Sequence, residues 1–210
     1  MRVRNVKGAK EYLEMHPDIV IEDYQNHIGK WKDVFQNDNP IYLEIGMGKG
    51  KFIIENAQKN PNINYIGLEK DVSITYKALN KILECEKIPN LRIICADASN
   101  IDLIFDKGEI NKLYLNFSDP WPKSRHEKRR LTGPNLLNGI LNILDGELEF
   151  KTDNRHLFEY SLIQFNNLNL DILELSLDLH EDKTDIITTE YEDKFVSLGN
   201  KIYYCKVKRR

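Results

Sequence analysis

Long apolar runs are missing from this 210-residue chain. None approaches the ~20 residues needed to cross a bilayer, and no apolar stretch follows the basic N-terminus, as a secretory signal would require. Cysteine is scarce. Cys85, Cys95 and Cys205 lie far apart with no C-x-x-C spacing, which excludes a disulfide scaffold or a thiolate zinc site and fits a reducing compartment. Five histidines, His16, His27, His126, His156 and His180, show no metal-ligand spacing either. Repeats and low-complexity tracts are absent. A formal net charge of -3 argues against indiscriminate nucleic-acid binding while leaving room for a local basic patch. The expectation is a cytoplasmic protein without membrane or metal, with its oligomeric state left open.

With 41% hydrophobic and 30% charged residues, the chain can bury one sizeable core. Residues 1–39 contain Tyr12, Tyr24 and Trp31 and read as an arm or cap, closed by the turn-forming Asn37-Asp38-Asn39-Pro40. Residues 40–210 then alternate strand-like and helix-like segments. Strands are expected at 41–45, 63–68, 91–95, 113–117 and 148–151, with helices at 51–59 and along Val72, Tyr76, Leu79 and Leu83. Thr132 is expected to cap a helix that carries Pro134 in its first turn and Leu136, Leu137, Ile140, Leu141 and Leu144 on its apolar face. A further helix is expected at 157–165. Residues 170–179 alternate like a half-exposed strand, a polar loop runs to Asn200, and 202–207 closes the sheet. This pattern predicts an α/β fold, a Rossmann-like, doubly wound, mostly parallel sheet with an antiparallel last strand.

Glu44-Ile45-Gly46-Met47-Gly48-Lys49-Gly50 follows the first strand and opens the first helix. Gly46, Gly48 and Gly50 permit a tight turn and close approach of a ligand to the backbone. The spacing is neither the dinucleotide fingerprint G-x-G-x-x-G nor the phosphate loop G-x-x-x-x-G-K-[ST]. Glu69, at the end of the second strand, can accept hydrogen bonds from ribose hydroxyls. Asp97, beside Ala98 at the end of the third, can meet an adenine amino group. Acidic residues after successive strands, joined to this glycine loop, point to S-adenosylmethionine. Glu44 has a plainer alternative, which is to accept backbone hydrogen bonds beside the turn.

The densest local signal is Asn116 to Arg130, N-F-S-D-P-W-P-K-S-R-H-E-K-R-R. A carboxylate set among prolines and a tryptophan is followed at once by a basic run, a combination suited to holding a nucleobase while gripping phosphates. Ser118-Asp119-Pro120-Trp121 also resembles the Asp/Asn-Pro-Pro-aromatic motif of amino-group methyltransferases, with Trp121 replacing the second proline. Trp121 could equally pack a core, and a solvated charge run is the plain alternative for the basic segment.

S-D-P-W-P-K-x-R-H-x-K-R-R-L, from Ser118 to Leu131, resembles the hallmark of bacterial tRNA (guanine-N7)-methyltransferases. Phe150-Lys151-Thr152-Asp153-Asn154-Arg155, Thr189-Glu190-Tyr191-Glu192, the opening Met1-Arg2-Val3-Arg4 and the Leu115-Asn116-Phe117 lead-in are similar to other family segments. The resemblance implies methyl transfer from S-adenosylmethionine to N7 of a guanine in tRNA, in the variable loop. It implies Glu44, Glu69, Asp97 and Asp119 at the cofactor, with Asp119 also the active-site residue. Lys123, Asp153 and Thr189, Glu190, Tyr191 and Glu192 become substrate contacts. Ser124, Arg125, His126, Glu127, Lys128 and Arg129 become the RNA contact. Ser124, at a position often basic in the family, and His156, often glycine, depart from the pattern. Alone, 189–192 reads as an acidic loop and Asp153 as a helix cap. An amino-group methyltransferase and a non-catalytic RNA-binding module on the same fold are the competing functions.

Overall fold

Seven strands form one sheet in the order β3-β2-β1-β4-β5-β7-β6 in the computed structural model of the chain. The structure describes residues 5–210, the Ser124 side chain excepted. The family-like opening at residues 1–4 and any contact made by the Ser124 side chain therefore lie outside the described residues.

Helix α1 (Ala9–Glu14), a 3-10 turn (Tyr24–His27) and α2 (Trp31–Phe35) precede the sheet. They are tied into it by burial. Val20 bridges Ile93 in parallel, Tyr12 meets Tyr76 edge-on at 5.0 Å, and fully buried Trp31 donates its indole N–H to the Ile104 carbonyl at 2.8 Å.

Strand β1 (Ile41–Ile45), α3 (Lys51–Lys59), β2 (Asn64–Glu69), α4 (Val72–Glu84), β3 (Leu91–Cys95) and β4 (Ile110–Asn116) follow in turn. The four strands are mutually parallel. Every residue of β2 is buried, as expected for a parallel strand covered on both faces. Helices α3 and α4 pack on one face, with Phe52, Ile53, Ala78, Leu79 and Ile82 against Tyr65 and Tyr114. Helices α5 (Pro134–Ile143) and α6 (Arg155–Asn167) cover the other, where Leu137, Ile140 and Phe158 meet Leu43, Leu115 and Phe150.

Strand β5 (Leu144–Thr152) pairs parallel with β4. Beyond β6 (Leu170–Ser176), α7 (Leu179–Asp182) and α8 (Glu190–Ser197), strand β7 (Tyr203–Arg209) inserts antiparallel between β5 and β6. The doubly wound sheet with an antiparallel last strand is as expected. Because strand order reverses between β1 and β4, a crevice opens above their C-terminal ends, where ligands of such sheets bind.

Local expectations are corrected at several places. The stretch to Asn200 is not a plain polar loop: Thr189 and Glu192 form a reciprocal capping box that starts α8, a signal visible in the sequence as T-x-x-E. Thr132 does not cap α5. Gly133 takes that position, while fully buried Thr132 accepts a 2.8 Å hydrogen bond from the Ser161 hydroxyl. Leu144 begins β5 instead of ending the helix face. The 170–179 alternation fails because the β6–β7 register slips between Ile172 and Glu174. A slip of this kind turns side chains toward the opposite face, and Ile172, Leu173 and Leu175 are exposed in succession.

Candidate active site

A cleft of about 510 Å³ lies above the ends of the first four strands, lined by Gly46, Glu69, Asp97, Ala98, Asn116, Asp119, Trp121 and Arg129 among others. One rim is built from the glycine loop. Gly46 and Gly48 hold φ of 77° and 58°, and a Cβ added at either would meet nothing within 4 Å. Both positions thus need glycine for the backbone and leave open space for a ligand. Behind them, Gly46 and Met47 donate backbone N–H to the Leu68 carbonyl.

Glu69 fastens this loop. Its Oε2 accepts from Gly48 N–H at 3.2 Å, and its Oε1 accepts from Lys70 and Asp71 N–H at 2.9 and 3.0 Å. Of the roughly four lone-pair sites of a carboxylate, about one remains for a ligand hydroxyl. Burial raises the Glu69 pKa, and the hydrogen bonds from Asp71, Gly48 and Lys70 oppose that rise. Asp97 sits just past β3 as the cap of a 3-10 turn (Ala98–Leu103), accepting from Ser99 N–H at 2.8 Å. That hydrogen bond holds its carboxyl below the usual range.

Beneath the loop, Glu44 is fully enclosed. Its Oε1 accepts from Asn116 Nδ2 at 2.8 Å. Burial pushes its pKa up to about 7 against the opposing effects of Asn116 and Lys151. Glu44 Oε2, Asn116 Oδ1 and Ser118 Oγ are buried and have no hydrogen-bond partner among the described residues. Asn116 and Ser118 both line the cleft. Unpaired buried acceptors are costly, so these atoms mark where a ligand donor belongs.

The opposite rim carries the aromatic and basic residues. Phe117 and Trp121 adopt positive φ, 53° and 40°, an uncommon conformation for bulky side chains. Tyr191 on α8 lies 5.1 Å from Phe117 and stacks on Phe195 at 4.1 Å. Its hydroxyl pKa is raised by burial and by the neighbouring Asp153 and Asp119 carboxylates. Both carboxylates thus face the Tyr191 side of the cleft. A 3-10 turn over Ser124–Arg129 brings Lys128 and Arg129 to the cleft, with Arg129 over the Trp121 ring at 5.0 Å and His126 edge-on to it at 5.7 Å. Lys123 and Arg125 are exposed, and Glu127 is half-buried.

Of the 189–192 segment, only Tyr191, 43% exposed, presents a substantial free surface. Thr189 caps α8, and Glu190 pairs with Lys49 at 2.9 Å and with Lys81. Glu192 points inward from the same segment. It is fully buried, its carboxylate taken by Lys151 Nζ at 2.6 Å and His180 Nε2 at 3.0 Å. Asn116, Lys151 and His180 had not been singled out for these roles. Asn116 carried a signal, as a polar residue ending an apolar strand at the switch point. Lys151 and His180 carried none, because their partner is distant in sequence.

Solved structures with this fold include methyltransferases. An antibiotic-related methyltransferase aligns over 85% of this chain and 92% of its own at 18% identity, with a TM-score of 0.62. A SAM-dependent methyltransferase from Aquifex aeolicus aligns over 98% of both chains at 7% identity, with a TM-score of 0.58. At these identities the likeness shows the fold, a Rossmann-like doubly wound sheet. Residues 38–205 match a family described as "Putative methyltransferase". The tRNA (guanine-N(7)-)-methyltransferase of Geobacillus sp. strain WCH70 is 50% identical over 99% of this chain and 96% of its own. That of Streptococcus equi subsp. zooepidemicus is 50% identical over 97% of each. The chain belongs to the family of bacterial tRNA (guanine-N7)-methyltransferases.

Proposed function

We propose that this protein transfers the methyl group of S-adenosylmethionine to N7 of a guanine in the variable loop of tRNA, in the cytoplasm. The observation that carries the reading is the pairing of two unlike rims across one cleft: acidic strand ends on one side, and Asp119 among aromatic and basic groups on the other. The cofactor's donors fit the first rim. The unpartnered acceptors Glu44 Oε2, Asn116 Oδ1 and Ser118 Oγ suit an ammonium group, Glu69 suits a ribose hydroxyl, and Asp97 suits an adenine amino group. Residues 1–39 belong to the same reading as an arm that supports residues 40–210 by burying Trp31 and Phe35 in the main core.

S-adenosylmethionine supplies a methyl carbon on a positively charged sulfur, which the N7 lone pair displaces, leaving the charge on the base. N7 carries no proton, so Asp119 need not act as a base. Its carboxylate accepts hydrogen bonds from guanine N1–H and the 2-amino group and offsets the cation that develops in the ring. Asp153 and Tyr191 complete that edge. Phe117 and Trp121 offer flat surfaces for the purine, and Lys123, Arg125, Lys128 and Arg129 meet phosphates. Alignment of the two reactants supplies a large part of the acceleration.

Asp119→Asn keeps the shape but removes the charge, and turnover falls about 10² to 10³-fold, with cofactor affinity changed little. tRNA carrying 7-deazaguanine in place of guanine binds and accepts no methyl group. Normal methyl incorporation into that tRNA, measured by mass mapping of nucleosides, would refute N7 chemistry and support transfer to an amino group.

A further inference from the structure

The segment that carries Asp119 has almost no backbone support. Between Phe117 N–H, which donates to the Lys151 carbonyl at 2.9 Å, and His126 N–H, which donates to the Lys123 carbonyl at 2.8 Å, the described residues make no backbone–backbone hydrogen bond from 118 to 122. Pro120 and Pro122 lack an N–H to give, and Trp121 is held at a φ of 40°. Arg130 makes the only hydrogen bonds recorded to this stretch among the described residues. Its Nε donates to the Pro120 carbonyl at 2.9 Å and its Nη2 to the Trp121 carbonyl at 3.2 Å.

Arg130 is itself fixed. Its guanidinium lies over the Tyr160 ring at 4.3 Å. Its own N–H donates to the Glu127 carbonyl, and its carbonyl accepts from Gly133 N–H. A Cβ at Gly133 would stand 3.0 Å from that carbonyl oxygen, so any larger residue there would crowd it.

We infer that Arg130, although it ends a run of phosphate-binding cations, is a positioning residue: a two-pronged clasp that holds the Asp119-Pro120-Trp121 turn and so places Asp119 against the base. The inference rests on the guanine reading for what Asp119 does, and on geometry alone for what Arg130 holds. Arginine suits the task because its rigid fork reaches two adjacent carbonyls while its flat face stacks on an aromatic ring. A lysine ammonium lacks that fixed two-pronged shape.

Three measurements on Arg130→Met and Arg130→Lys, with Lys128→Met for comparison, test the clasp. At saturating tRNA, Arg130→Met lowers kcat by roughly 10²-fold, the scale of a misplacement near 1 Å, with Arg130→Lys in between. The slope of log tRNA affinity against log salt stays at its original value in both, whereas Lys128→Met lowers it by about 0.9, by analogy with duplex DNA. The two tryptophans supply a readout independent of catalysis. Trp31 is fully buried, so acrylamide quenching reports Trp121, and quenching rises in Arg130→Met as the turn loosens. A salt slope that falls as in Lys128→Met, or quenching equal to the unaltered protein's, overturns the clasp. If the unaltered protein does not methylate guanine N7, the functional reading falls, and the quenching comparison still decides the clasp.

Discussion

The two rims of the cleft are held by different means. On the cofactor side, short carboxylates accept nearby backbone N–H groups. Glu69 takes Lys70 and Asp71, Asp71 takes Ser73 and Ile74, and Asp97 takes Ser99. Each of these bonds spans at most three residues; Glu69 to Gly48 and Glu44 to Asn116 reach farther, between the ends of neighbouring strands. On the acceptor side, side chains bridge long sequence separations. Lys151 meets Glu192, Lys51 meets Thr188 and Asp193, and Lys49 meets Glu190. The first rim is built by strand ends and their turns. The second exists only once the whole chain has folded around it.

The sharpest way to break that contrast is Lys151→Met. It leaves the Glu192 carboxylate fully buried with only His180 and the Thr189 N–H beside it, and loss of one partner of a buried ion pair costs about 3–5 kcal/mol. Urea unfolding is expected to show that loss, with part of it recovered in Lys151→Met/Glu192→Met. On the other rim, Glu69→Ala removes the acceptor for three backbone N–H groups and, on the proposed reading, for a ribose hydroxyl. Cofactor affinity measured by calorimetry should fall by roughly 1.5–3 kcal/mol, with tRNA affinity little altered.

The smallest effect is pH-dependent. Burial raises the Glu44 pKa from 4.5 to about 7, so between those values the folded state binds more protons than the unfolded state. Its contribution to stability therefore falls as pH rises through that window. A cofactor ammonium beside Glu44 favours the ionised carboxylate, so binding releases protons. Cofactor affinity should rise by less than about tenfold from pH 6 to 7 and then level off. Calorimetry in buffers of different ionisation enthalpy measures the released protons, and Glu44→Gln should flatten the profile.

The same contrast governs what could be read before the fold was known. Gly46, Gly48, Glu69 and Asp97 announce themselves because loop, strand end and carboxylate are neighbours in sequence. The family resemblance supplied Asp119, Asp153 and Tyr191 but nothing of what supports them. Lys151 and Glu192 lie 41 residues apart, and Arg130 looked like one more phosphate cation. Glu192 is an example. Its place in a family motif implied a substrate contact, and only the folded chain shows that its carboxylate also anchors the helix that presents Tyr191. Helix α8 itself was legible through its capping box, and a polar composition obscured it.

Strand β7 imposes an order on synthesis. A nascent chain that has emerged through β6 can pair β1 to β5 side by side, but β6 has no neighbour until residues 203–209 slide in between β5 and β6. Until then, Ile172, Leu173 and Leu175 lie on an open strand, the kind of transient edge that recruits other chains. Sheet completion thus waits for the last strand of the sheet to leave the ribosome, and shortening the chain before Tyr203 leaves the sheet open at β5, with β6 unpaired.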